Sequence, residues 1–209
     1  MILDIHTHHP APQPYGVVSV RFGADIPDLM PGQLYSIGLH PWDTGLEITA
    51  DVWQTLEAVA SSPQIAAIGE SGIDIAAKGA PLFRQLNIFR RHIEMSESLK
   101  KPLIIHTVKA HDMIVGLHKE MKPSQNWAIH GFRGKPEVAT MLLRAGLYLS
   151  FGERFNPESL RCMPLDRILA ETDESQLDIN MILARLSEAR GEDISDAVAA
   201  NSRAFLEHK

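Results

Sequence analysis

Gln64-Ile65-Ala66-Ala67-Ile68-Gly69-Glu70 is a short apolar run that ends in glycine and acid. Behind it Phe83, Leu86, Ile88, Phe89, Ile93, Met95 and Leu99 recur at near-helical spacing. Pro102-Leu103-Ile104-Ile105-His106-Thr107 then forms a second apolar run with a polar end. Unbroken apolar runs of this length suit strands buried on both faces. The spacing between them marks an amphipathic helix. Strand, helix and strand in that order form a βα unit of a parallel sheet.

The same alternation extends in both directions. Candidate strands are Met1 to His6, Gly16 to Phe22, Leu34 to Leu39, Gln64 to Glu70, Pro102 to Thr107, Asn126 to Gly131, Gly146 to Gly152 and Asp166 to Thr172. Besides Phe83 to Leu99, amphipathic stretches run from Ala110 to Lys122, Lys135 to Arg144, Ser175 to Arg190 and Ile194 to Glu207, with Pro123 and Gly191 as stops. A closed α/β barrel of the TIM type is the simplest arrangement, expected as one domain over residues 1–209. The links HPAPQPY and GADIPDLMPGQ after the first two strands are short and proline-rich, so the first two outer helices are expected to be shortened or missing. A terminal helix or a second subunit is then expected to cover the outer face of the first strands, making a homo-oligomer one outcome.

Composition removes several classes of function. With 44% hydrophobic and 22% charged residues among 209, the chain reads as globular rather than disordered or fibrous. Its net charge of −6 opposes non-specific binding of polyanions. One cysteine, Cys162, cannot form an internal disulfide and reads as a small packing residue; no stretch is long and apolar enough for a bilayer span. A cytoplasmic protein without membrane partners is expected.

Chemistry gathers at the strand ends. Asp4-Ile5-His6-Thr7-His8 places two imidazoles two residues apart, on one face of a strand. Glu70, His106, His130 and Asp173 each stand at the end of a strand, where barrel active sites are built. A lone histidine at a strand end is more often a hydrogen-bonded structural residue than a ligand. Four imidazoles and two carboxylates in one mouth are different, because burying them together is costly without a cation. Two divalent ions with a bridging carboxylate suit the set.

At these residues the chain resembles the TatD family of metal-dependent hydrolases. Asp4-Ile5-His6-Thr7-His8, Gly38-Leu39-His40-Pro41, Gly69-Glu70-Ser71-Gly72-Ile73-Asp74, Pro102-Leu103-Ile104-Ile105-His106, His130-Gly131-Phe132 and Glu171-Thr172-Asp173 carry the resemblance, with a weaker echo in Asn201 and Phe205. It implies that His6, His8, Glu70 and Asp173 surround one metal, and that Glu70 bridges to a second held by His106 and His130. It further implies catalytic roles for Glu70 and Asp173, zinc, manganese or magnesium as cofactors, and hydrolysis of esters by a metal-bound hydroxide. The expected activity is that of a phosphodiesterase or deoxyribonuclease on single-stranded DNA or nucleic-acid ends.

The chain also departs from the family. Val108 stands two after His106, where an arginine is frequent, and Asp173-Glu174-Ser175 lacks a following proline. Lys109 is expected to take over a phosphate contact, with Arg133, Lys135 and Arg154 on neighbouring loops and His40 toward substrate. Trp42 offers either a stacking face to a base or a packing contact at the rim. Trp53 and Trp127 read as packing residues, and His92, His118 and His208 as helix residues, exposed or partly buried, without chemistry. Rival readings are a phosphoesterase of the polymerase-and-histidinol-phosphatase type, which shares the opening His-x-His, and a barrel that binds metal without turnover.

Overall fold

The computed structural model describes residues 2–9, 15–23, 28–45, 47–76 and 80–207. Eight parallel strands close into a barrel in sequence order, with β1 (Asp4–Thr7) paired to β8 (Ile168–Ala170). Between them run β2 (Gly16–Arg21), β3 (Leu34–Gly38), β4 (Ile65–Asp74), β5 (Leu103–Val108), β6 (Trp127–Ile129) and β7 (Tyr148–Phe151). All eight expected strands are present within a few residues of their expected bounds. The clearest difference is β4, which runs on past Glu70.

Around the barrel lie α1 (Ala50–Ala60), α2 (Leu82–Leu99), α3 (His111–Met121), α4 (Pro136–Arg144), α5 (Pro157–Cys162), α6 (Ile179–Arg190) and α7 (Ser195–Leu206). Local chemistry sets their ends. Thr49 caps α1 by accepting from Val52 N, and Asn156 caps α5 by accepting from Glu158 N and Ser159 N. Asp178 caps α6, which therefore starts later than Ser175, and Gly191 ends it at φ 81°. Strand residues such as Val20, Ile37, Ile68, Ile105 and Leu149 pack outward against Trp53, Leu56, Phe89 and Ile93 of the helical layer.

Among the described residues no helix lies between β1 and β2 or between β2 and β3, as the proline-rich links imply. Pro10 to Pro14 of the first link fall outside the described residues. The terminal helix takes a different place from the expected one. Asn201 of α7 donates to the carbonyls of Leu165 and Ile168, and Asn126 donates to those of Ala204 and Phe205. These partners sit at the N-terminal ends of β8 and β6, so α7 crosses the lower mouth of the barrel. Phe205 packs there with Ile5, Ala67, Ile104, Ala128, Tyr148 and Leu169. At the end of β2, Arg21 and Phe22 border a cleft of about 410 Å³ together with Leu39, Ile48 and Val52. No helix among the described residues is long and apolar enough to cross a membrane.

Candidate metal centre

Glu70 reaches the upper mouth through an irregular stretch of β4. Gly69 and Gly72 flank it at φ 139° and 150°. A Cβ at Gly69 would run into the Ile104 carbonyl, and one at Gly72 into the His106 carbonyl. Glycine is required at both by space and by backbone angle. The pairing with β5 shifts register between Ile68 and Ser71, across Glu70 itself.

The two carboxylate oxygens of Glu70 face different imidazoles. Oε2 lies 3.6 Å from His6 Nε2 and 3.4 Å from His8 Nε2. Oε1 lies 2.7 Å from His106 Nδ1, 2.7 Å from His130 Nε2 and 3.2 Å from His40 Nε2. Asp173 Oδ1 joins the first group, 3.8 Å from His6 Nε2 and 3.5 Å from His8 Nε2. The structure thus brings His6, His8, Glu70, His106, His130 and Asp173 into one space. His40, expected toward substrate, stands there too, buried and accepting from Trp42 N through Nδ1.

Further carboxylates hold this group from behind. Glu171, fully buried, accepts from Gly131 N at 2.6 Å and lies 3.5 Å from His130 Nδ1. Asp74 accepts from Trp42 Nε1 at 2.7 Å and lies 3.4 Å from His106 Nε2. Gln85 of α2 fixes the Asp74 backbone by accepting from its N–H and donating to its carbonyl. Carboxylates so placed set the tautomer and orientation of a ligand imidazole. Sequence reading gives Asp74 and Glu171 no role of their own. Glu171 follows directly on β8 and Asp74 ends β4, so both stand beside proposed ligands in the chain, but their partners follow only from the three-dimensional arrangement. Asp4 joins β1 to β8, accepting from Thr172 N at 3.0 Å and from the Thr172 hydroxyl at 2.6 Å.

Burial opposes charge throughout, and the network decides which groups keep it. For Glu70, the His130 charge and hydrogen bonds from His106, His130 and His40 outweigh burial and hold its carboxyl well below the ordinary range. Burial likewise disfavours the His130 cation, yet Glu70 and Glu171 push it well above the usual imidazole value. His6 falls to about 3, first through burial and then through the His130 charge. Burial and Glu171 raise Asp173.

His6 provides a test of metal fit. Both of its ring nitrogens are buried without a hydrogen-bond partner, and Nε2 faces carboxylate oxygens at 3.6 and 3.8 Å. Orphaned polar atoms of this kind are costly. A neutral imidazole and carboxylates together form the donor set of a divalent transition metal. Three overlapping triads bring ligand atoms within 4.8 Å of one another: His6, His8 and Glu70; His6, His130 and Asp173; His40, Glu70 and His106. The residues fit.

Beside the cluster a cleft of about 330 Å³ is lined by His106, Lys109, His111, His130, Arg133 and Asp173, among others. Arg133 also borders a neighbouring cleft of about 200 Å³ with Arg154 and Asp173. Lys135 stands at the N-terminus of α4. His9 Nε2 lies 2.6 Å from the Ser175 carbonyl. Two expectations change. His92 is wholly buried, and Cys162 is exposed at the end of α5 rather than packed. His208 lies outside the described residues.

A family model described as TatD related DNase matches residues 28–206. The chain belongs to that family. Among its relatives, an "Uncharacterized metal-dependent hydrolase" of Buchnera aphidicola is 32% identical over 155 residues, covering 69% of this chain and 57% of that protein. A protein of Erwinia billingiae named "3'-5' ssDNA/RNA exonuclease TatD" is 32% identical over 157 residues, covering 70% and 60%. The chain therefore spans less than two thirds of the length of the curated relatives it matches. The solved structure of YJJV, a TatD homologue of Escherichia coli, superposes with a TM-score of 0.83 at 19% identity, covering 98% of this chain and 97% of the other. A TatD-family hydrolase of Entamoeba histolytica gives 0.81 at 14%, with the same coverage. At such identities these two likenesses establish the barrel fold alone.

Proposed function

We propose that this TatD-family barrel, taken as one unit over residues 1–209, is a metal-dependent phosphodiesterase acting on single-stranded nucleic acid or its ends. The division of Glu70 carries the reading, since one carboxylate presents separate oxygens to two groups of imidazoles. His6, His8, Glu70 and Asp173 would hold one cation, and Glu70, His106 and His130 a second, with Glu70 between them. Zinc, manganese and magnesium are the candidates. Cations there would polarise the phosphoryl oxygens and lower the pKa of a coordinated water towards neutrality.

The chain's own groups supply the rest. Asp173, half-buried with its carboxyl raised, is placed to orient a water and take its proton. Lys109 and Arg133 line the cleft that contains His106 and His130, where they can hold non-bridging phosphate oxygens. Glu171 and Asp74 keep the imidazoles turned to the centre. The printed name of the Erwinia relative, an exonuclease on single-stranded DNA and RNA, supports the substrate class. With one cysteine the chain forms no internal disulfide, in keeping with the cytoplasm, where we place it.

The test is hydrolysis of a phosphodiester and of end-labelled oligonucleotides by purified protein with each metal, beside Glu70→Ala and Asp173→Asn. Both variants should lose at least about a hundredfold in kcat/KM. Equal rates in all three proteins would overturn the reading.

A further inference from the structure

We propose that Trp42 is a stacking platform for the nucleobase next to the scissile phosphate, so that the preferred substrate carries a planar ring beside the cleaved bond. This rests on the phosphodiesterase reading above.

The chain has three tryptophans. Trp53 and Trp127 are 5% and 1% exposed, whereas Trp42 is 55% exposed. A single exposed apolar side chain is ordinary. What sets Trp42 apart is how firmly it is held while exposed. Its Nε1–H donates to Asp74 at 2.7 Å, and its backbone N–H donates to His40 Nδ1 at 3.2 Å. Pro41 opens the short turn that carries it. Arg21, itself clamped to Asp43 through two hydrogen bonds of 2.5 and 2.6 Å, lies 5.7 Å from the ring centroid. An indole fixed along one edge, with Arg21 and His40 beside it and about half of its surface still open to water, has lost its conformational freedom in advance, which is the condition for cheap stacking.

Position points the same way. The indole centroid lies 4.7 Å from the His40 ring and 6.0 Å from the His106 ring. His106 also lines the cleft that holds Lys109 and Arg133. One imidazole thus has cationic side chains in the cleft it lines and an aromatic ring beside it. A phosphodiester at the centre would find charge for its oxygens and a surface for its base. Every base has a π-face, so recognition of this kind tolerates any sequence. If Trp42 served only to hold Asp74 against His106, an N–H would suffice and the exposed bicyclic ring would have no function.

Because the other two tryptophans are buried, acrylamide quenching of fluorescence reports chiefly on Trp42. The experiment uses the full chain in EDTA, with octathymidylate and the matching abasic oligomer as probes. Octathymidylate should protect the fluorescence and the abasic oligomer should not. In turnover with metal, the kcat/KM preference for a thymidine dinucleotide over its abasic analogue should fall about tenfold in Trp42→Ala. Trp42→Phe, which keeps a ring but loses the bond to Asp74, should stay within about threefold of the parent. Equal protection by both probes, or equal loss in the two variants, would overturn the inference. Turnover without protection would sink this inference alone, and protection without metal-dependent turnover would sink the phosphodiesterase reading alone.

Discussion

His92 is wholly buried on α2 and holds the backbone of the loop that leads to His40. Leu39 N donates to its Nε2 at 3.0 Å, while its Nδ1 donates to the Ile88 carbonyl at 2.8 Å. Both nitrogens are therefore committed in the neutral tautomer, and a second proton has no acceptor. Burial, opposed by the bond to Ile88, lowers the group from 6.5 to about 4. Between those values the unfolded chain binds a proton that the folded chain does not, so stability rises with pH. His92 contributes fully above pH 6.5, and its contribution is lost as pH falls towards 4. Between pH 7.5 and 5 the loss comes to about 2 kcal/mol. Urea unfolding of the parent and of His92→Gln at both pH values checks this: the fall in stability should be about 2 kcal/mol smaller in the variant. Identical falls would show that His92 does not titrate as its burial requires.

Among the elements, α7 closes the end of the barrel opposite the candidate centre, and Phe205 fills the space among Ile5, Ile104, Tyr148 and Leu169. Phe205→Ala should cost about 3–5 kcal/mol in urea unfolding, as for a fully buried aromatic whose cavity cannot collapse. A loss below 1 kcal/mol would mean that the lower mouth is not sealed in this way. Strands were legible because each is a compact apolar run bounded by turn residues. Two helices were not expected. Val52, Trp53, Leu56, Val59 and Ala60 of α1 recur at helical spacing and pack on the core, so that helix could be read from its pattern. With six residues, α5 is too short to display a helical period. That the six proposed ligands meet was legible because a parallel barrel brings the ends of all its strands to one mouth. Neither the irregular geometry at Glu70 nor the pairing of Glu171 with His130 can be read from spacing, since both depend on backbone angles and on which ring nitrogen faces inward.

Over the whole molecule a net charge of −6 sets a field that repels the polyanion proposed as substrate. Lys109 and Arg133 act against that field only locally, within the cleft that also holds His106, His130 and Asp173. Repulsion from the rest of the surface is spread over distances that salt screens beyond about 8 Å at physiological strength. Contacts inside the cleft are made directly to phosphate and release counterions. Affinity for octathymidylate should therefore fall as salt rises, despite the acidic surface, because the local contacts outweigh the screened field. Each single-strand phosphate neutralised contributes a slope of about −0.7 in a plot of log K against log salt. Replacing both Lys109 and Arg133 with alanine should flatten that slope by about 1.4. Fluorescence titrations between 50 and 200 mM salt would measure it, at roughly the range where such slopes are resolved. An unchanged slope in the double variant would move the phosphate contacts to other cations, Arg154 of the adjoining cleft first among them.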